Sequence, residues 1–320
     1  MTTCLVTGGA GFIGSHLVDA VVSQGHAVRV LDNFSTGRRE NLSSVLDRID
    51  LHEGDIVEPD DVWRAVDGCE VVYHLAAVAS VQASVDDPLR THRVNVDGTL
   101  NVMEAARRAD VDRFVFASSA AVYGDHAALP LGEDLAPRTL SPYAAHKVTG
   151  EMYCRAYHAS FGLPTVALRF FNIYGPRQDP SSPYSGVISI FARRMTRGER
   201  PTIYGDGRQT RDFVYVADVV RALLAAVECE EAVGRVFNVA RGRQTSILRL
   251  VEGLNTVLGS SLEPEFGPPR SGEVRFSEGD GARARELLGW SPRVSLKEGL
   301  MRLIEGDYGR IGGEDGLAVD

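Results

Sequence analysis

The chain lacks the basic excess and the cysteine spacing that mark several classes of protein. Its 34 Lys and Arg residues are outnumbered by 43 Asp and Glu residues, which gives a formal net charge of -9. Nucleic acids and anionic membranes are bound through an excess of Lys and Arg, so neither is an expected partner. The cysteines show no CxxC spacing, which indicates neither a disulfide framework nor a metal site: they are Cys4, Cys69, Cys154 and Cys229.

Long apolar runs are also missing. No run approaches the ~20 residues that cross a bilayer, and the first strand pattern begins at Thr3, which leaves no room for a signal peptide. We therefore expect a cytoplasmic protein. The apolar fraction of 44% is ordinary for a globular protein, so the 320 residues are expected to form one large α/β domain or two lobes.

β-type apolar runs alternate with amphipathic helical stretches through the first half of the chain. The strand-like runs are LVTG, AVRVLD, IDLHEGD, VVYHLAA, RFVFASS and TVALRFFN. This alternation predicts a doubly wound parallel sheet of the Rossmann type, with right-handed crossovers and helices on both faces. Such sheets bind ligands at the carboxyl ends of their strands. The candidates for chemistry there are Asp32, Asp55, Ala76, Ser118, Ser119 and Asn172.

The texture changes after residue 172, where Pro, Gly and Ser become frequent, and this predicts a smaller, loop-rich substrate lobe. RDFVYV and VFNVA are expected to return to the large sheet, so that the lobes interleave. We predict a dinucleotide-binding domain at 1–171 plus about 211–241 and an α/β substrate lobe at about 172–210 plus 242–308. The Gly-rich, acidic tail at 309–320 is expected to be disordered.

The motif TGGAGFIG joins the first strand to the first helix and predicts a dinucleotide site. Gly8 permits a sharp turn, Gly11 lets backbone N–H groups approach a pyrophosphate, and Gly14 lets the helix pack closely. The pyrophosphate then lies at the helix N-terminus. Asp32 ends the second strand, where a carboxylate binds the adenosine ribose and repels a 2′-phosphate, so NAD is favoured over NADP. The alternative for Asp32 is a turn residue in DNFSTG.

Tyr143 and Lys147 lie one helical turn apart in SPYAAHK, and therefore on one face. A neighbouring ammonium and the positive nicotinamide ring both favour phenolate, which lowers the pKa of the phenol and makes Tyr143 a candidate base. Ser119 ends a strand at the ligand-binding edge and can share a proton with Tyr143. The alternatives are a solvated helix face for the Tyr and Lys pair and a strand-ending small residue for the serine.

The motifs TGGAGFIG, HLAA, SSAAVYG, YAAHK, LRFFNIYGPRQ and GDGRQTRDFVYVADV resemble, in order, those of the extended short-chain dehydrogenase/reductase family, in particular its UDP-hexose 4-epimerases. The resemblance implies a catalytic triad of Ser119, Tyr143 and Lys147. It also implies an NAD site formed by Gly8, Gly11, Phe12, Ile13, Gly14, Asp32, Asn33, Ser35, Asp55, Ile56, Ala76, Asn95, Tyr143 and Lys147. The implied UDP-sugar site consists of Ser119, Asn172, Val187, Tyr204, Arg211, Arg270 and Ser277, with Arg177 as a further candidate.

Two alanines reduce the number of reactions that this family scaffold could catalyse here. Dehydratases of the family carry Asp-Glu where this chain has Ala120 and Ala121, and a methyl group cannot transfer a proton. The resemblance thus implies inversion at C4 of UDP-glucose and UDP-galactose through a transient 4-keto sugar. Ser277 stands where a bulky tyrosine restricts the sugar in relatives, so UDP-GlcNAc and UDP-GalNAc are expected substrates too, and Ala79 replaces a lysine found in some glucose-type enzymes. Dehydration or decarboxylation on the same scaffold and a non-catalytic NAD-binding regulator stay open.

A homodimer is a further implication of the resemblance. The helices that begin near Gly98 and Ala144 are expected to pair with their copies as a four-helix bundle. Four apolar side chains are compatible with that surface, although each is equally compatible with the core: Leu100, Met103, Met152 and Tyr153.

Overall fold

The computed structural model describes residues 1–179, 186–269 and 274–309. Within these ranges the strands are β1 Thr3–Thr7, β2 Ala27–Asp32, β3 Ile49–Glu53, β4 Val71–His74, β5 Arg113–Ser119, β6 Thr165–Phe170, β7 Asn172–Tyr174, β8 Thr202–Tyr204, β9 Thr210–Arg211, β10 Phe213–Tyr215, β11 Arg235–Val239, β12 Thr245–Ser246 and β13 Glu265–Gly267. The α-helices are α1 Phe12–Ser23, α2 Pro59–Val66, α3 Val81–Asp86, α4 Pro88–His92, α5 Thr99–Arg108, α6 Pro142–Phe161, α7 Val187–Thr196, α8 Val216–Glu228, α9 Ile247–Leu258, α10 Ala282–Leu287 and α11 Leu296–Tyr308. A π-helical turn, Arg93–Gly98, connects α4 to α5.

A seven-stranded parallel sheet forms the centre of the molecule, in the order β11-β6-β5-β4-β1-β2-β3. The chain winds outward from β1 in both directions, so the predicted doubly wound α/β fold is confirmed. Apolar side chains cover both faces of the sheet. Leu17 of α1 and Leu223 of α8 belong to one buried cluster, and Met103 of α5 belongs to the other. Because β1 lies at the reversal of strand order, its carboxyl end opens a crevice for a ligand.

A third apolar cluster packs α7, α9 and α11 around β7 and β10. Short strand pairs accompany it: β10 with β7 and β13 with β8 are parallel, and β12 with β9 is antiparallel. These elements carry the segments predicted to bind substrate. The division into two lobes at the predicted boundaries stays a prediction, and residues 310–320 of the predicted tail lie outside the described residues.

One predicted strand pairing is wrong. VFNVA returns to the large sheet as β11, but RDFVYV forms β10, which pairs with β7. β11 already occupies the edge of β6, and the chain continues past Phe171 into β7, where the Asn172 N–H donates to the Asp212 carbonyl at 2.9 Å. β10 therefore pairs with β7, the extension of the chain beyond β6.

The described helices include none that is long and apolar enough to span a membrane. Within the same ranges, the His, Cys, Asp and Glu side chains form no group of three or more arranged to hold a metal ion.

Candidate functional site

A cleft of about 470 Å³ opens at the carboxyl ends of β1, β2, β4 and β5. Most of the predicted NAD-binding residues, together with the predicted catalytic residues, line this one cleft. They are Gly8, Gly11, Phe12, Ile13, Gly14, Asp32, Asn33, Ser35, Asp55, Ile56, Ala76, Ser119, Tyr143 and Lys147.

The glycine loop is shaped by close backbone contacts that exclude side chains. Gly8 has a φ of +71°, which favours glycine. A Cβ on Gly14 would lie 2.1 Å from the Gly8 carbonyl oxygen, so α1 can approach the loop only because residue 14 is glycine. Gly11 is the N-cap of α1 and offers no side-chain cap, which leaves first-turn N–H groups for an anion. This cradle fits the pyrophosphate of a dinucleotide.

Asp32 closes the cleft at the end of β2. Its carboxylate accepts hydrogen bonds from the Ala10 N–H at 2.9 Å and the Phe34 N–H at 2.8 Å, so it fixes the glycine loop and also forms the turn that DNFSTG predicted. Burial raises its pKa, while the two N–H donors act in the lowering direction. Asn33 donates to the Asp55 carboxylate at 2.8 Å, which joins the ends of β2 and β3 along the rim.

Asn95 is not among the residues that line the cleft, and its predicted contact with NAD stays a prediction. Its side chain is buried. The amide oxygen accepts from the Val78 N–H at 2.8 Å, and the amide nitrogen donates to the Val78 carbonyl at 3.1 Å. Asn95 therefore holds the segment after β4, whose residues 76–79 line the cleft.

A hydrogen-bonded chain through His74 supports the same segment. The Ala76 N–H donates to the Thr7 hydroxyl at 3.2 Å, and the Thr99 hydroxyl donates to the Asn95 carbonyl at 2.8 Å. His74 lies between the two hydroxyls, with Nδ1 2.8 Å from Thr7 and Nε2 2.9 Å from Thr99. The Thr99 proton is already donated, so Nε2 must carry the ring proton and Nδ1 must accept from Thr7. Burial lowers the pKa of His74 to about 3, which keeps the ring neutral.

The three predicted catalytic side chains meet where β5 ends beside α6. Successive residues of a strand face opposite ways. Ser118 thus bonds Glu151 in the interior, while Ser119 bonds the Tyr143 hydroxyl in the cleft. The Lys147 ammonium donates to the Ala117 carbonyl at 2.8 Å, and its nitrogen lies 5.8 Å from the centre of the Tyr143 ring. Ser141 caps α6, and Pro142 occupies its first turn, so this helix face is held in place at its start.

The electrostatics differ from the sequence prediction at the tyrosine. Burial raises the pKa of Tyr143, and the hydrogen bond from Ser119 acts in the lowering direction. Burial also lowers the pKa of Lys147 to about 8, against a raising effect of Glu151. The prediction of a lowered phenol pKa is therefore wrong for the protein alone, because burial outweighs the hydrogen bond from Ser119. The positive nicotinamide ring is the remaining group expected to favour phenolate.

None of the described residues predicted only for substrate binding lines this cleft; they lie on the smaller elements beside it. Asn172 begins β7, Val187 begins α7, Tyr204 ends β8 and Arg211 ends β9. The Ser277 N–H donates to the Thr210 hydroxyl at 3.4 Å, which places residue 277 next to Arg211, as expected for two groups that share a ligand. Arg270 lies outside the described residues.

Sequence reasoning missed Asp212, a buried carboxylate that organises this region. It accepts hydrogen bonds from the Arg241, Gly242 and Gly279 N–H groups at 2.8, 2.9 and 3.1 Å. It thereby joins the start of β10 to the loop after β11 and to the segment after Ser277. The one sequence signal for it is its position directly before the apolar run FVYV.

Several contacts depart from the predicted set. Arg177 is paired with Asp19 of α1 at 2.7 Å, a contact that the sequence did not predict. Arg90 and Gln178 line the cleft without having been predicted. Arg90 belongs to α4, a short helix whose position relative to the cleft depends on the π-helical turn, which local sequence patterns do not reveal.

Comparison with known proteins places these features in a family. Residues 4–240 match the model of the NAD dependent epimerase/dehydratase family. A UDP-glucose 4-epimerase of Mycolicibacterium smegmatis is 45% identical, over 94% of this chain and 97% of its own length. The structure of Thermotoga maritima UDP-glucose 4-epimerase with UDP-glucose is 42% identical with a TM-score of 0.91, covering 95% of this chain and 97% of that one.

A second solved structure has the same degree of similarity. It is the UDP-N-acetylglucosamine 4-epimerase of Methanobrevibacter ruminantium in complex with UDP-N-acetylmuramic acid, with a TM-score of 0.91 and 37% identity over 95% of this chain and 97% of that one. The glycine cradle, the Ser119, Tyr143 and Lys147 cluster and these matches lead to one conclusion: the chain belongs to the NAD dependent epimerase/dehydratase family.

Proposed function

We propose that this chain is an NAD-dependent isomerase that inverts C4 of a UDP-hexose. The observation that carries the proposal is the meeting of Ser119, Tyr143 and Lys147 in the dinucleotide cleft. When bound, NAD takes a hydride from the sugar carbon and returns it. The chain supplies the proton chemistry and the fixed geometry around that exchange.

Each catalytic side chain has one task at the sugar 4-hydroxyl. Tyr143 accepts its proton and later returns it, while the Ser119 hydroxyl, bonded to Tyr143, also binds the sugar oxygen and keeps it in line. Lys147 supplies a positive charge beside the phenolate and hydrogen-bonds the nicotinamide ribose. Such proton transfer contributes about 10²–10⁴-fold to rate. The 4-keto sugar rotates in the site between oxidation and reduction, so that the hydride would return to the opposite face of C4.

The residues after β5 favour epimerisation over the alternative reactions. Ala120 and Ala121 begin the short 3₁₀ turn that follows Ser119, and their methyl groups offer neither the acid nor the base that elimination needs. A non-catalytic regulator has no use for the hydrogen-bonded Ser119 and Tyr143 pair. The proposed reaction needs only the groups that are present.

The UDP-sugar is held by the elements beside the cleft. Arg211 and Arg270 bind the diphosphate, because guanidinium groups match phosphate oxygens in geometry and charge, and Val187 and Tyr204 contact the base. Asn172 contributes from the start of β7. Ser277, next to Arg211 through Thr210, leaves room beside C2, so UDP-GlcNAc and UDP-GalNAc are substrates along with UDP-glucose and UDP-galactose.

The active form is a homodimer, formed through α5 and α6. Met152 of α6 is 51% exposed, whereas Met103 of α5 is fully buried and belongs to the core. The surface therefore offers Met152, but not Met103, to a second copy. The cytoplasmic location expected from the sequence stays a prediction.

Proton NMR of the purified protein with UDP-glucose, UDP-GlcNAc and UDP-glucuronate in turn tests the reaction, because the H4 couplings report inversion. Tyr143→Phe is expected to reduce turnover by at least about 10²-fold. Tyr308→Phe is the matched control, since Tyr308 lies on α11 and does not line the cleft. Its turnover should equal that of the parent.

Two results would contradict the proposal. A product of changed mass would indicate dehydration or decarboxylation, and UDP-sugars left unchanged by folded, NAD-loaded protein would indicate a regulator. Full activity of Tyr143→Phe would remove the assigned base.

A further inference from the structure

A buried carboxylate lies directly behind the catalytic side chains. Glu151 of α6 is 3% exposed and lies one turn beyond Lys147, on the same helix face. The Ser118 hydroxyl donates to its Oε1. The Arg169 guanidinium of β6 donates to both of its oxygens, at 2.9 and 2.8 Å. One carboxylate therefore joins β5, β6 and α6.

Glu151 is joined to the three catalytic residues through the neighbouring residue Ser118 and through α6. Ser118 precedes Ser119 in β5, so the bond to Glu151 fixes the strand end that presents the Ser119 hydroxyl. Tyr143 and Lys147 stand on the preceding turns of the helix that carries Glu151. An isolated buried ammonium is unfavourable unless an opposite charge is near, and Glu151 is the carboxylate that acts on Lys147.

We propose that Glu151 is a positioning residue for the reaction: it clamps the Ser119 strand end to the helix of Tyr143 and Lys147, and it places a negative charge one helical turn from Lys147. The inference rests on the proposed function. The Arg169 guanidinium also pairs with the Glu151 carboxylate. Its positive charge therefore opposes the effect of Glu151 on Lys147. Lys147 and Arg169 with Glu151 leave one net positive charge behind Tyr143, which favours phenolate.

Other titratable groups surround this cluster from β4, α6 and the segment after β5: His74, Tyr143, His146, Cys154, Tyr123 and Glu133. Burial lowers the pKa of His74 and His146, so both rings are neutral near pH 8. Burial raises the pKa of Cys154 and Tyr123, so both stay protonated there. The Glu133 carboxylate accepts from the Asn238 N–H at 2.8 Å, and Arg169 donates to the Glu133 backbone carbonyl at 3.3 Å. Of this set, Tyr143 is in contact with Lys147, whose nitrogen lies 5.8 Å from the centre of the phenol ring.

The test compares pH profiles of turnover by the holoenzyme. The alkaline limb reports loss of the Lys147 proton, whose pKa is about 8. Glu151→Gln should move this limb to lower pH by about 1 to 2 units, because the neighbouring opposite charge is lost. Arg169→Met should move it to higher pH, because a competing cation is removed. Glu298→Gln, which removes a carboxylate paired with Arg302 on α11, is the control and should leave the profile unchanged.

Opposite displacements by the two variants distinguish a charge effect from damage to the fold, which would lower turnover at every pH. An alkaline limb of Glu151→Gln equal to that of the parent, or displacements of both variants to lower pH, would overturn the inference. If circular dichroism shows that Glu151→Gln does not fold, Arg169→Met decides, and any result other than an upward displacement counts against it. A parent that leaves UDP-sugars unchanged contradicts the proposed function instead.

Discussion

At the scale of single residues, we propose that position 277 determines which sugar the enzyme accepts. Ser277 is 8% exposed, and its backbone is fixed to Thr210 beside Arg211. Its side chain therefore occupies a defined place next to the expected diphosphate site. A residue in such a place acts by its volume.

Ser277→Tyr is expected to remove activity on UDP-GlcNAc while retaining activity on UDP-glucose, because the phenol ring fills the space beside C2. We expect the ratio of the two kcat/KM values to change by at least about tenfold, since steric rejection in a shaped pocket amounts to about 1–3 kcal/mol. Coupled assays or NMR with both substrates measure it. Ser277→Ala, which stays small, should keep both activities, and an unchanged ratio in the tyrosine variant would contradict the assignment.

Residue roles were predictable from the sequence where a motif has a fixed local geometry. Tyr143 and Lys147 share a helix face by spacing alone, and the glycines of the loop follow a strand directly. The bonds of Asn95 to Val78 were not predicted, because they join segments 17 residues apart. Asp212 was not predicted, because its donors lie 29 or more residues away along the chain. Contacts of that range leave no local pattern.

At the scale of elements, the close packing of α1 against the glycine loop depends on the absence of a side chain at position 14. Gly14→Ala places a Cβ 2.1 Å from the Gly8 carbonyl oxygen, so α1 or the glycine loop has to move. We expect NAD affinity to fall more than about tenfold and the protein to lose about 1–3 kcal/mol of stability. Calorimetric titration with NAD and thermal unfolding measure the two effects.

Gly132→Ala is the matched control for that change. A Cβ at residue 132 meets nothing within 4 Å, so NAD affinity and the unfolding temperature should stay near those of the parent. Unaltered NAD affinity in Gly14→Ala would mean that the loop tolerates displacement and that the cradle is less constrained than its geometry indicates.

Element types followed from periodicity more readily than element partners did. The strands that became β1 to β6 and β11 were visible as apolar runs between helical patterns. β10 was also visible as a strand, but its pairing with β7 depends on the edge of β6 being taken by β11. Which edge is free is a property of the assembled sheet, so no local run of sequence encodes it.

At the scale of the whole molecule, the surface of α6 determines the proposed assembly. Met152→Glu places a charge in an apolar dimer interface, where an unpaired charge is costly, and is expected to give a monomer. Light scattering coupled to size-exclusion chromatography measures the mass. Met301→Glu on α11, where the methionine is 43% exposed, is the control and should leave the dimer intact. A dimeric Met152→Glu variant would place the interface elsewhere.

The neutral imidazole under the cofactor cleft has a consequence for acid conditions. Each proton in the chain from Ala76 through Thr7 and His74 to Thr99 has a single direction, and a second ring proton would leave two donors facing each other. This hydrogen-bonded chain beneath the cleft therefore keeps one protonation state across the physiological pH range. His74 thus contributes nothing to the pH dependence of catalysis in the physiological range.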